Sequence, residues 1–275
     1  MTLPIAAIVL FAALLHASWN ALLKGDSDRL WFMTIMGVAT SLACAAILPF
    51  LPMPHRASWL YLIGSAVLHI GYNLFLIRAY RDGDFGSAYP IARGSSPLLV
   101  TLGAAAAAGE SPSPHGIAGI MLVSGGIISL AFRGRRLPEA GILYALGTGM
   151  FIAAYSVTDG IGGRLSGSPV AYTLWMSLLS DLTAIPIYWL RRRDGRLWRG
   201  TRATVLASLG GLVSLLAYAI VIFAMTRAPM GSVSALRETS VLFAVLLGWL
   251  FFAEPLTFRR IISAMVIAVG ALCLE

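Results

Sequence analysis

Ten stretches of mostly apolar residues follow one another along this chain, joined by connections too short to fold on their own. They occupy 3–23, 30–49, 58–77, 86–108, 114–132, 138–162, 168–189, 204–225, 231–252 and 257–274. A helix needs about 20 such residues to cross about 30 Å of hydrocarbon. In lipid each segment must satisfy its own backbone hydrogen bonds, so each is expected to be helical. Short strands of alternating polarity are absent from the sequence, which excludes a barrel. The expected fold is an all-α integral membrane protein with ten transmembrane helices.

Composition agrees. Hydrophobic residues make up 58% of the chain and charged ones 12%, where a soluble domain carries about 25% charged residues. The formal charge of +8 could suggest a nucleic-acid partner. A mean hydropathy of +0.82 argues against it, and against a disordered chain, a disulfide scaffold or a cytosolic enzyme. Cys44 and Cys273 stand alone in apolar runs and form no CxxC pair. The N-terminal apolar stretch is longer than the core of a cleaved leader and is read as a retained span.

The basic residues have a simpler meaning. With ten spans both termini share one side, where Arg56, Arg164 and Arg227 fall. The other side receives fifteen Lys and Arg residues, including the loop RRRDGRLWRGTR. The positive-inside rule puts that loop in the cytoplasm and the termini outside, with the chain in the inner (plasma) membrane. Only Arg93 and Arg237 are left within spans.

Those two arginines belong to a repeat. Residues 89–110 read YPIARGSSPLLVTLGAAAAAGE and residues 233–254 read VSALRETSVLFAVLLGWLFFAE. An offset of 144 places Arg93 on Arg237, Ser96 on Ser240, Leu98 on Leu242 and Glu110 on Glu254, and it continues through Gly126 and Gly270. The chain therefore divides into two five-helix repeats, 1–132 and 133–275. Five is odd, so the second enters the membrane from the opposite side and the repeats are inverted. Fused inverted repeats are a transporter signature, because two similar halves can exchange conformations around a central site.

Three stretches carry a family resemblance: HASWNALLK in the first span, SSPLLVTLGAAAAAGESPSPHGIAGIMLVSGGIISL closing the first half, and SVLFAVLLGWLFFAEPLTFRRIISAMVIAVGALCL closing the second. Together with the five-plus-five layout they resemble the drug/metabolite transporter superfamily, in its EamA-type branch. The resemblance covers nearly the whole chain. It implies a secondary transporter, an exporter of amino acids, of nucleotide-related metabolites or of assorted drugs.

Polar residues deep in a span are costly and therefore functional by default. Arg93 and Arg237 are expected to face the bundle interior and meet an anion: a carboxylate, helix-end carbonyls or the solute for Arg93, and for Arg237 the adjacent Glu238, with Asp159 and Asp181 also in reach. These three are the candidate charge or coupling partners. Pro97 withholds a hydrogen bond from the Arg93 carbonyl, which makes Gly94 to Pro97 the expected hinge or opened turn. His16, Trp19 and Asn20 share one face of the first span, and Ser65, His69, Tyr72 and Asn73 one face of the third, by i, i+3 and i+4 spacing. Tyr155 and Asp159 pair on the sixth. Tyr89, Ser96 and Trp175 complete the expected lining, which suits a small amphipathic solute with a ring or aliphatic body and a polar end. His16 and His69 have no Cys, Asp or Glu at ligand spacing, so proton transfer is a better expectation for them than metal binding. The glutamates ending the fourth and ninth spans are expected to cap the first turn of the next helix or fix the loop.

No phosphate loop, GxSxG elbow, HExxH or paired catalytic carboxylates occur in the sequence, so an enzyme is not expected and no cofactor is implied. The leading expectation is a monomeric transporter of small amphipathic metabolites, foremost amino acids and among them aromatic ones, working by alternating access. Its partners would be a small-molecule substrate and the lipid bilayer, with no nucleic acid. A multidrug or nucleotide-related transporter, a membrane scaffold and an enzyme on lipid-linked substrates are the alternatives.

Overall fold

The computed structural model describes residues 1–82, 85–131, 139–192, 198–253 and 255–274. The repeat boundary at 132–133, Glu254 and the side chain of Asn73 lie outside the described residues. Within them all regular structure is helical: α1 (Leu3–Gly25), α2 (Arg29–Ile47), α3 (Trp59–Asp82), α4 (Phe85–Ala108), α5 (Pro114–Ser129), α6 (Glu139–Leu165), α7 (Pro169–Asp181), α8 (Ala184–Arg191), α9 (Thr201–Met225), α10 (Met230–Glu238), α11 (Ser240–Phe252) and α12 (Phe258–Leu272).

Local chemistry sets several starts. Asp28 caps α2 by accepting from the Trp31 amide at 3.1 Å. Ser113 and Ser168 cap α5 and α7 in the same way, each followed by a proline whose missing N–H costs nothing in the first turn.

Among the described residues six helical stretches are long and apolar enough to cross a membrane: Leu3–Gly25, Arg29–Phe50, Tyr89–Ala108, Glu139–Leu165, Thr201–Met225 and Met230–Phe252. The other expected stretches are helical too. However, α5 and α12 are 16 and 15 residues long, and the stretch at 168–189 is divided into α7 and α8. Pro186 explains that division, since its ring cannot sit against the carbonyl four residues earlier in an unbroken helix. Leu42, Leu60, Leu143, Leu190, Phe251 and Phe258 point outward, as surroundings as apolar as leucine permit.

The two halves pack by exchange. Helix α5 lies on α12, α4 on α10 and α2 on α7; α3 lies on α6 as α9 lies on α1. The exchange holds at single residues. A Cβ on Gly119 would stand 2.7 Å from the Gly270 carbonyl oxygen, and one on Gly126 would stand 3.3 Å from that of Ser263. Adding or subtracting 144 turns the first pair into the second. Helices α4 and α10 run antiparallel: Glu110, past the end of α4, accepts from the Met230 amide opening α10 at 2.8 Å, while Arg93 pairs with Glu238 at its end.

Candidate functional site

The centre of the bundle holds three charged side chains within bonding distance. Arg93 of α4, Arg237 and Glu238 of α10 are 6%, 3% and 0% exposed. Glu238 Oε1 accepts from Arg237 Nη2 at 3.1 Å, and its Oε2 lies 2.7 Å from Arg93 Nε. The Arg93 N–H points off that line, so the second contact is an ion pair without a hydrogen bond. Arg93 Nη2 reaches His16 Nε2 at 3.0 Å and Ser240 Oγ at 3.4 Å. A guanidinium only donates, so His16 Nε2 accepts and the ring carries its proton on Nδ1. Arg237 Nε is buried without a hydrogen-bond partner. Two cations thus share one carboxylate, and the cluster keeps a surplus of one positive charge.

An aromatic wall stands beside it. His69 of α3 stacks on Tyr155 of α6 with centroids 4.2 Å apart, and Tyr72 meets the same ring edge-on at 5.8 Å. Tyr218 of α9 closes the wall, 6.2 Å from His69 and 6.4 Å from Tyr155. Behind the wall Asp159 accepts hydroxyl hydrogens from Tyr172, at 2.9 Å, and Tyr218. The Arg93 guanidinium lies 5.7 Å over the Tyr89 ring, and Trp19 sets its edge against His16 at 5.0 Å.

A model of the EamA-like transporter family matches residues 3–132 and matches again over 139–274. The chain belongs to the EamA-like transporter family. It is therefore a multi-pass membrane protein that moves small molecules. The crystal structure of another protein shares this fold with a TM-score of 0.79 at 19% identity, covering 98% of each chain. No curated protein matches this EamA-like chain.

The structure brings His16, Trp19, His69, Tyr72, Tyr89, Arg93, Tyr155 and Arg237 together, with Asp159 and Glu238 beside them. Other expected residues lie apart or serve the backbone. Trp175 packs on Trp59, 5.6 Å away, and Asn20 returns its amide to the His16 carbonyl at 2.7 Å. Asp181 ends α7.

The turn at Pro97 is not opened: α4 is continuous from Phe85 to Ala108. Ser96 Oγ donates to the Arg93 carbonyl at 3.2 Å, replacing the bond that Pro97 cannot make. Gly94 packs tightly on α5, where an added Cβ would meet Ile128 at 2.6 Å. The interruption falls instead at Thr239, between α10 and α11, where the Thr239 hydroxyl donates to the Leu236 carbonyl at 2.6 Å.

Sequence reasoning missed Tyr172, Tyr218 and Ser240 as partners of the site. Tyr218 had a signal: a lone phenol in the middle of the most hydropathic of the six apolar stretches.

Proposed function

We propose that this EamA-like protein is a secondary transporter that exports small amphipathic metabolites, foremost amino acids including aromatic ones, by alternating access between two inverted five-helix repeats. The observation that carries this reading is the surplus positive charge of Arg93, Arg237 and Glu238 beside the wall of His69, Tyr72 and Tyr155. A solute carboxylate would balance the charge, and its side chain would lie on the rings. Ten spans, external termini and cytoplasmic basic loops complete the proposal, with the monomer as the working unit in the plasma membrane. The antiparallel course of α4 and α10 supports the inversion.

Purified full-length protein in liposomes, offered labelled amino acids, nucleotides and cationic dyes, tests the reading. It expects saturable flux of amino acids without chemical change. Arg93→Lys retains the charge but loses the planar fork that binds a carboxylate through two bonds. Amino-acid flux should fall about tenfold or more, equivalent to about 1.4 kcal/mol of lost interaction. A folded Arg93→Lys protein with unchanged apparent affinity would remove Arg93 from the site.

A further inference from the structure

Most described carboxylates near this bundle's basic groups are matched. Asp26 and Asp28 meet Arg199 and Arg192, Glu110 meets Arg164, and Glu238 meets Arg93 and Arg237. Asp159 differs. It is fully buried within α6, and its oxygens accept hydroxyl hydrogens from Tyr172 of α7 and Tyr218 of α9. Among the described residues no Lys or Arg forms an ion pair with it. Ser65 and His69 face it from α3, and Tyr155 stands one turn earlier on its own helix. Tyr155 is also within electrostatic reach of Arg93 of α4 and of Arg237 and Glu238 of α10.

We infer that Asp159 is the proton-binding group that couples solute movement to a proton gradient, an inference that rests on the transporter reading above. Low-dielectric burial penalises an anion that has no permanent counter-charge, His69 being the titratable group that faces it, and a bound proton removes the penalty. An arginine partner would favour the ionised form; Glu238 has two such partners and Asp159 has none among the described residues. Phenols impose no such choice, because a hydroxyl donates to a carboxylate and accepts from a carboxylic acid. Tyr172 and Tyr218 can therefore hold Asp159 in either form.

Position also suits coupling. The two hydroxyls come from α7 and α9, so any rocking of α6 against those helices breaks both bonds. The next residue, Gly160, is in close contact with α10, where an added Cβ would stand 2.6 Å from the Met230 sulfur. Movement of the helix bearing Arg237 and Glu238 is thus transmitted to Asp159. In one cycle a proton passes from water on one side to an Asp159 carboxyl oxygen and leaves from that oxygen to water on the other side. No bond of the solute changes.

Infrared spectroscopy of the full chain in lipid nanodiscs reads this proton whatever solute is carried. The expected result is a carboxylic-acid C=O band that weakens as pH is raised, vanishes in Asp159→Asn and persists in Asp181→Asn. If that band is missing, or survives in Asp159→Asn, the inference is overturned. Flux of radiolabelled phenylalanine supplies the second readout. In Asp159→Asn, accumulation driven by a pH gradient should fall by about 5–150-fold, the usual size of a lost coupling, while counterflow without a gradient continues. Equal loss of both fluxes, or retention of both, also overturns it. A wild-type protein that carries no phenylalanine counts against the amino-acid reading instead, and the infrared result still decides the role of Asp159.

Discussion

Glu238 is the residue on which the charged centre depends. Removing either arginine leaves a balanced pair, whereas removing the carboxylate leaves two buried cations facing each other. Breaking a buried pair costs about 3–5 kcal/mol because an uncompensated charge stays behind. Glu238→Gln is therefore expected to lower the melting temperature more than Arg237→Gln does, and the double variant should recover part of the loss. A Glu238→Gln protein as stable as the wild type would mean that the cations are balanced elsewhere. Arg93 and Arg237 were legible in the sequence because charge inside a span is rare and theirs recurs at a fixed offset. The partner of Arg93 was not, since Glu238 adjoins Arg237 in sequence and reaches Arg93 only through the packing of α4 on α10. Asp159 was likewise visible as a buried carboxylate, but nothing in local spacing links it to Tyr218, 59 residues away.

Among the elements, the paired helices α5 and α12 show how small residues set distance. A Cβ on Gly270 would stand 2.8 Å from the Val123 amide nitrogen and 2.9 Å from the Gly119 carbonyl oxygen. Backbone atoms cannot turn aside as a side chain can, so the helices would have to separate. Gly270→Ala should destabilise by about 1–3 kcal/mol, the usual cost of overpacking. At Gly125 a Cβ would meet nothing within 4 Å, so Gly125→Ala should be neutral or gain up to about 1 kcal/mol from helix propensity. Thermal melts in detergent compare the two; equal effects would show that close approach does not hold this pair together. Helix existence was readable from the apolar stretches, whereas the glycine contacts depend on how α5 and α12 face each other. Helix interruptions were harder to read. Pro97 drew attention to α4, but the hydroxyl of Ser96 mends that turn. The break at Thr239 has neither proline nor glycine to mark it.

For the molecule as a whole, the two ends differ in chemistry. At one end Arg192 and Arg199 reach Asp28 and Asp26, joining the α1–α2 connection to the end of α8 and the approach to α9. The positive-inside rule would put this end in the cytoplasm; in that proposed orientation a cysteine introduced at Gly195 should resist an impermeant thiol reagent applied to intact cells. Rapid labelling there would invert the proposed orientation. The two halves share a framework while dividing the chemistry: at the same offset His69 and Tyr72 correspond to Val213 and Leu216. A repeat search therefore reveals the frame and the arginines but not the aromatic wall, to which the first half gives His69 and Tyr72 and the second Tyr155 and Tyr218 from positions that are not equivalent.

The opposite end is tied by Arg164 at the end of α6. Its guanidinium pairs with Glu110 and donates to the Met225 and Ala228 carbonyls, at 2.9 and 3.2 Å, while Glu110 also accepts from the Met230 amide. One glutamate from the first half thus holds the opening turn of α10 in the second. Glu110 does not cap the next helix, α5, which Ser113 caps; the opening amide it binds is that of α10 in the other half. If the halves rock about the central site, this latch must release whenever the end opens. Glu110→Gln removes the ion pair while leaving a neutral acceptor for the amide, so it should favour opening. Thr101, which lies against Gly231 between α4 and α10, offers a place to read it. In a background lacking Cys44 and Cys273, Thr101→Cys should react faster with an impermeant reagent from outside when Glu110→Gln is added. Unchanged labelling would reduce Glu110 to a helix cap and leave opening to be governed by other contacts at that end.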